Sequence, residues 1–255
     1  MFVFPMAGLS SRFAKAGYKK PKYMLDAGGK TLFEHSIAGF SSYFETEPFL
    51  FIYLKDAVDP KFIHEKCRRQ GLADDQILLA GLEHPTDGQA TTVAQGLNHA
   101  EVARSEPLTI FNIDTIYATF THPKLPDDPD IVGYLDVFKG AGDHWSFVRP
   151  DNADEQIGRA VEVTEKLRIS NLCSTGLYHF RTAGVFVDEF REIQDVPKSE
   201  FQGNERYIAP LYNRLIEKGK QVYFRTLKTE NIQFSGTPSE YEHFLSSNAW
   251  NAEKP

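Results

Sequence analysis

The 255-residue chain predicts an α/β fold, a three-layer α/β/α sandwich around a mixed, mostly parallel sheet. Three observations carry this. The first half alternates short apolar runs with amphipathic helical segments, the pattern of βαβ units. The segment Pro48–Leu54 is continuously apolar, as in a strand buried on both faces. No internal repeat, low-complexity stretch or flexible linker divides the chain, so a single domain is expected over residues 1–255.

Taken in order, Phe2–Pro5 reads as a strand and Thr31–Phe40 as a helix with apolar residues at Leu32, Phe33, Ile37 and Phe40. Pro48–Leu54 follows as a strand and Pro60–Gln70 as a helix stopped by Gly71. Gln76–Ala80 is a short strand, Ala90–His99 a helix and Leu108–Ile113 another apolar strand. The second half changes character. Asp130–Phe138, His144–Val148, Arg159–Thr164 and Ser174–Phe180 read as strands with short connections. Helices are expected at Ala183–Ile193 and Arg206–Lys218, then a strand at Gln221–Leu227 and a closing helix at Pro238–Ser246.

Composition narrows the function. A hydrophobic fraction of 41% and a charged fraction of 25% are ordinary for a globular protein. The net charge of -7 argues against a nucleic-acid partner, which would favour a broad basic surface. Cys67 and Cys173 are too few and too far apart for a disulfide framework or a zinc site, so a reducing, cytoplasmic setting is expected. No signal-peptide pattern is present, and no run approaches the roughly 18 apolar residues of a membrane span. His99, His122, His144 and His179 are scattered, with no metal-binding pair and no Ser-His-Asp order.

The opening segment stands against this acidic background. The first 25 residues carry Arg12, Lys15, Lys19, Lys20 and Lys22 and no acid. A strand, then Ala7-Gly8, then Ser10-Ser11 starting a helix, then Arg12, are the parts of a phosphate cradle: backbone N–H groups and nearby cations face the anion. Gly8 allows close approach, and Ser10 or Ser11 suits the helix cap. Asp114 follows the buried Leu108–Ile113 strand. A carboxylate beyond a strand's C-terminal end, flanked by Asn112 and Thr115, suits a Mg²⁺ ion on phosphate oxygens.

The run Pro5-Met6-Ala7-Gly8-Leu9-Ser10-Ser11-Arg12-Phe13, followed by Pro21-Lys22 and Gly29-Lys30-Thr31-Leu32, resembles the signature of the sugar-phosphate nucleotidyltransferases. It is most similar to their bacterial capsule and surface-polysaccharide branch. Ser10 stands where the family loop has its second Gly. The resemblance implies a Rossmann-like nucleotide-diphospho-sugar transferase fold, with residues 1–125 as a nucleotide-binding half and 126–255 as an acceptor-binding half. It implies a cytoplasmic enzyme joining a nucleoside triphosphate, CTP or UTP favoured, to a sugar phosphate or other small phosphorylated acceptor, with Mg²⁺ as cofactor and pyrophosphate as product. Arg12, Lys22 and Asp114 are then the catalytic residues, with Asp114 also the metal ligand. Ala7, Gly8, Ser10, Ser11, Gly88 and Gln89 bind the nucleotide. The family's V-x-E-K and G-x-Y elements correspond to Val163–Lys166 and Gly176–Tyr178, so Glu165, Lys166, Thr175 and Gly176 bind the acceptor. Glu205 or Arg206 is a further candidate there, and Tyr207 and Tyr212 are expected to pack. Many members have an Asp two residues before the late Gly-Thr-Pro as a second metal ligand. Here that residue is Phe234, and Glu230 is the substitute candidate.

Two other readings stay open. A glycosyltransferase of the same architecture would use an Asp-x-Asp motif, which Asp114-Thr115-Ile116 does not supply. A non-catalytic nucleotide-binding module would bind the triphosphate without releasing pyrophosphate.

Overall fold

The computed structural model describes residues 1–248. In chain order the elements are β1 (Phe2–Pro5), α1 (Ser11–Lys15), β2 (Asp26–Ala27), β3 (Lys30–Thr31), α2 (Leu32–Ala38), β4 (Phe49–Leu54), α3 (Pro60–Gln70), β5 (Ile77–Leu82), α4 (Gln89–His99), β6 (Leu108–Phe111), β7 (Thr115–Tyr117), β8 (Ile131–Lys139), β9 (Ser146–Pro150), β10 (Ile157–Glu165), β11 (Leu172–Phe180), α5 (Ala183–Ile193), α6 (Leu211–Glu217), β12 (Gln221–Thr226), β13 (Ile232–Phe234) and α7 (Pro238–Ser246). They form two compact units that interleave along the sequence. The first holds Met1–Val3, Thr86–Phe111 and His122–Lys228; the second holds Phe4–Pro85, Asn112–Thr121 and the stretch from Thr229 onward.

In the second unit the strand order is β5-β4 and then the Phe4–Pro5 end of β1. β4 is buried at all six positions and runs parallel to β5, as a continuous apolar run predicts. Phe4 packs on Phe40, Phe49 and Phe51 at ring separations of 5.3–6.1 Å. The helices of this unit start where side chains satisfy orphan amides. Thr31 and Glu34 form a capping box on α2, Asp59 caps α3 ahead of Pro60, and Thr237 and Glu240 form a second box on α7. Gly71, at φ 93, ends α3. The hairpin β2–β3 turns through Gly28 and Gly29, both at positive φ, as a type I′ connection requires. β13 pairs antiparallel with β7, Phe234 opposite Thr115.

In the first unit Phe2 and Val3 of β1 run parallel to β6, which is antiparallel to β11. β11 pairs antiparallel with both β8 and β9; β8 is parallel to β12; β12 is antiparallel to β10, and β10 to β9. The sheet is mixed, as expected, but it is not mostly parallel. Parallel neighbours need a crossover of a dozen or more residues, and no helix lies between β8 and β11 to provide it.

One helix also differs. The segment expected from Arg206 becomes helical only at Leu211, after Pro210. Tyr207 consequently lies outside the helix, whereas Tyr212 is fully buried, stacked on Phe180 at 4.7 Å with its hydroxyl donating to the Tyr134 and His179 carbonyls. Tyr212 packs, as expected. The short strands β2, β3, β7 and β13 have no periodicity long enough to show in the sequence. No helix among the described residues is long and apolar enough to cross a membrane.

Candidate active site

The second unit gathers the loop, Arg12, Lys22 and Asp114. After β1 the Met6 N–H donates to the Ile52 carbonyl at 2.7 Å, which fixes the exit of the chain. Met6 and Ala7 are buried, and Gly8 and Leu9 are exposed. Ser10 sits in the left-handed region at φ 49, ψ 34. This backbone explains why a glycine suits that place in the related loop: an L side chain there costs about 1 kcal/mol. The expected side-chain cap is absent. The Ser10 hydroxyl instead accepts the Lys22 N–H at 3.3 Å, tying the loop to the Pro21-Lys22 turn. Ser11 and Arg12 open α1, both exposed, and Phe13 buries its ring against Tyr18 and Tyr241. Phe13 thus anchors the helix that presents Arg12.

Lys22 and Asp114 meet directly. Nζ donates to Oδ2 at 2.5 Å, with the side chains 22% and 26% exposed. Two contacts hold Asp114: the Ser235 N–H and hydroxyl donate to its carbonyl at 2.8 and 3.1 Å. They follow from the β7–β13 register, which places the residue after Phe234 beside the residue before Thr115. A Cβ on Gly236 would lie 2.8 Å from Asp114 Oδ2, so only glycine lets the carboxylate keep its place. Phe234, at the position of the expected second acid, is part of β13, and Glu230 is exposed in the preceding turn. Among the described residues no group of three or more His, Cys, Asp or Glu side chains gathers as a metal site.

The first unit holds the other predicted residues in two places. Gly88 is the N-cap of α4 at φ 147, and Gln89 is the first helical residue, half-buried. At Gly88 the close approach is made by the chain itself. A Cβ there would lie 2.4 Å from both the N and the O of Arg206. The Arg206 N–H donates to the Asp87 carbonyl at 3.0 Å, and Ala90 N–H donates to the Arg206 carbonyl at 2.9 Å, a clip around Gly88. The buried Arg206 guanidinium binds the Asp87 carboxylate and the carbonyls of Ile193, Gln194 and Val196. Arg206, a candidate for touching the acceptor, therefore spends its donors inside the protein. Burial pushes the Asp87 carboxyl up, but the Thr91 hydroxyl and the Arg206 and Lys198 cations outweigh this and leave it below its usual value.

Glu165 ends β10 and Lys166 follows it. The Ser146 hydroxyl donates to Glu165 Oε2 and lies 3.2 Å from the Tyr178 hydroxyl. Burial raises the Glu165 carboxyl above the ordinary range, against the pull of Ser146 and Lys166 and with a push from Glu205. Lys166 has a left-handed backbone at φ 54 and donates through Nζ to the Tyr207 hydroxyl. Thr175 is buried, its hydroxyl 3.2 Å from the Asp136 carbonyl. Gly176, at φ 88, sits where the β8–β11 register shifts, so a bulge explains the glycine.

No protein-family profile matches the chain, and no curated protein matches it. A solved structure of a nucleoside-diphosphate-sugar pyrophosphorylase from Vibrio cholerae RC9 is 43% identical, covering 96% of this chain and 100% of that one, with a TM-score of 0.87. The chain belongs to the sugar-phosphate nucleotidyltransferases. Two more distant structures share the fold of this transferase: a UDP-glucose pyrophosphorylase complexed with UDP-glucose (16% identity, 98% of each chain, TM-score 0.74), and the inositol-1-phosphate CTP transferase from T. maritima (14% identity, 97% of this chain and 94% of that one, TM-score 0.68).

Sequence reasoning had assigned the transferase's Tyr207 to packing and passed over Ser146 and Ser235. Ser146 precedes Glu165 by 19 residues and reaches it only through the β9–β10 pairing. No local signal marks such a residue.

Proposed function

We propose that this nucleotidyltransferase uses Arg12, Lys22 and Asp114 to bind and activate a nucleoside triphosphate, and Glu165 and Lys166 to bind a phosphorylated sugar or similar small acceptor. The observation that carries the reading is the meeting of Lys22 and Asp114 beside the Ala7–Arg12 loop. An acceptor phosphate oxygen forms a bond to the α-phosphorus, and the bond to the bridging α–β oxygen breaks, with the electron pair leaving on pyrophosphate. The side chains form no covalent bond, so positioning and charge stabilisation supply the rate. Arg12 holds the β- and γ-phosphates, where charge builds on the leaving group. Lys22 neutralises the α-phosphate, and Asp114 holds its ammonium in place. Gly88 and Gln89 read the base and ribose.

Asp114 offers a single carboxylate, and a carboxylate has more lone pairs than the Lys22 contact uses. That donor set fits Mg²⁺, which takes most of its ligands from phosphates and water. When bound there the ion would screen the triphosphate charge. CTP or UTP is favoured as the nucleotide, and synthesis of capsule or surface-polysaccharide precursors as the role, because the Pro5–Arg12 segment resembles that branch. A pyrophosphate-release screen of the four triphosphates against phosphorylated acceptors with Mg²⁺ tests this. Release with one pair is expected. Nucleoside diphosphate released from a nucleotide sugar instead would replace this reading with glycosyl transfer.

A further inference from the structure

The Lys166 ammonium has one hydrogen-bond partner that is itself an aromatic residue. Nζ donates to the Tyr207 hydroxyl and lies 4.4 Å from the centre of its ring. Among the described residues no carboxylate oxygen comes within 4.0 Å of Nζ. A half-buried cation whose ammonium is held by a neutral hydroxyl, with Glu165 acting on it only through space, and on a backbone held at φ 54, is suited to hold an anion. An ammonium carries three N–H donors. Fixing one on the Tyr207 oxygen restricts the directions of the other two.

A third residue completes the arrangement. Gly203 is at φ 64, and a Cβ added to it would lie 3.5 Å from the Tyr207 hydroxyl and 3.7 Å from Lys166 Nζ. A longer side chain there would project towards the ammonium.

We propose that Tyr207 is a positioning residue for the acceptor's phosphate, aiming the Lys166 ammonium at a phosphate monoester, and that Gly203 is a specificity-determining residue that leaves room for it. The proposal rests on the functional reading above in placing the acceptor at Lys166. It adds roles in that site for two residues, Tyr207 and Gly203, to which neither family resemblance nor local pattern gave one.

The test is the acceptor KM in pyrophosphate-release kinetics, paired with calorimetric titration of glucose 1-phosphate and of inorganic phosphate in an Arg12→Ala background. Tyr207→Phe keeps the ring and removes the oxygen. It should raise the acceptor KM by about tenfold, the loss of one charge-assisted hydrogen bond, and leave kcat and the triphosphate KM within about twofold. Gly203→Asn, a residue that tolerates positive φ, should raise the acceptor KM at least as far with an unchanged melting temperature. Tyr207→Phe added to Lys166→Met should cost nothing further, because both act through one ammonium. An unchanged acceptor KM in Tyr207→Phe, an equal rise in the triphosphate KM, or additivity in the double variant would overturn the proposal. Wild-type protein that releases no pyrophosphate but binds both phosphates through Lys166 and Tyr207 would overturn the functional reading and leave this one standing. Binding unaffected by either substitution would overturn this one alone.

Discussion

Lys22 Nζ lies 2.5 Å from Asp114 Oδ2, an ion pair between residues 92 positions apart in the chain. The cation comes from the turn after the loop and the carboxylate from the end of the β6 segment; Ser235 binds the Asp114 backbone carbonyl, and Gly236 leaves room for the carboxylate. The pair is partly open to solvent, so it adds no more than about 1 kcal/mol to stability. Its value is positional.

Lys22→Ala and Asp114→Asn should therefore leave the urea midpoint nearly unchanged while lowering kcat by about 100-fold or more, the usual loss for one preorganised charged group. Steady-state pyrophosphate release checks this. Near-wild-type turnover in Lys22→Ala would remove Lys22 from the mechanism.

Ser10 combines a left-handed backbone with a hydrogen bond to the Lys22 N–H. Replacing it with glycine relieves the first and loses the second, effects of about 1 kcal/mol each and of opposite sign. Alanine keeps the strain and still loses the bond. Ser10→Ala should thus be less stable than Ser10→Gly by about 1 kcal/mol in urea titrations. The reverse order would contradict the conformation assigned to this loop.

Gly88 has no room for a methyl group, since a Cβ would meet the Arg206 N and O at 2.4 Å. Gly88→Ala should cost about 3 kcal/mol by combining a steric clash with a positive-φ penalty. The expected signature is a melting temperature lower by several degrees, with the Ala90–Arg206 amide losing its protection from hydrogen exchange. An unchanged melting temperature would mean that the clip around Gly88 is not formed in solution.

His179 is half-buried, with Nδ1 2.9 Å from the Thr109 hydroxyl and its ring stacked 4.8 Å from Tyr134. Burial, with smaller pushes from His122 and the N-terminal ammonium, lowers it from 6.5 to about 3. The unfolded chain takes up a proton at this residue below about pH 6.5, while the folded one refuses it until about pH 3. Stability contributed by the neutral ring is thus intact above pH 6.5 and declines as pH falls through that window, by up to about 1.4 kcal/mol per unit. His179→Gln should flatten the dependence of the urea midpoint on pH between 6.5 and 3 relative to wild type. Parallel curves for the two proteins would show that His179 titrates normally.

Some of this architecture was legible because its signals are local. The helices Pro60–Gln70, Ala183–Ile193 and Pro238–Ser246 occupy the expected residues, since caps and a 3.6-residue apolar period act within one segment. The basic loop was legible for the same reason: Gly8, Arg12 and Lys22 lie within a few turns of one another. Lys22 and Asp114 were each visible in the sequence, but their pairing was not, and Arg206 looked like a ligand contact rather than the support of Gly88.

The sequence by itself determined most of the longer strands and helices, the net acidic charge and the basic opening segment, because propensity, periodicity and charge are read residue by residue. Tertiary structure alone decided the mixed sheet, the β7–β13 pairing that sets Gly236 against Asp114, and the pairings Arg206–Asp87 and Lys166–Tyr207. Those depend on strand register and on contacts between residues 41 to 121 positions apart, which no local window contains.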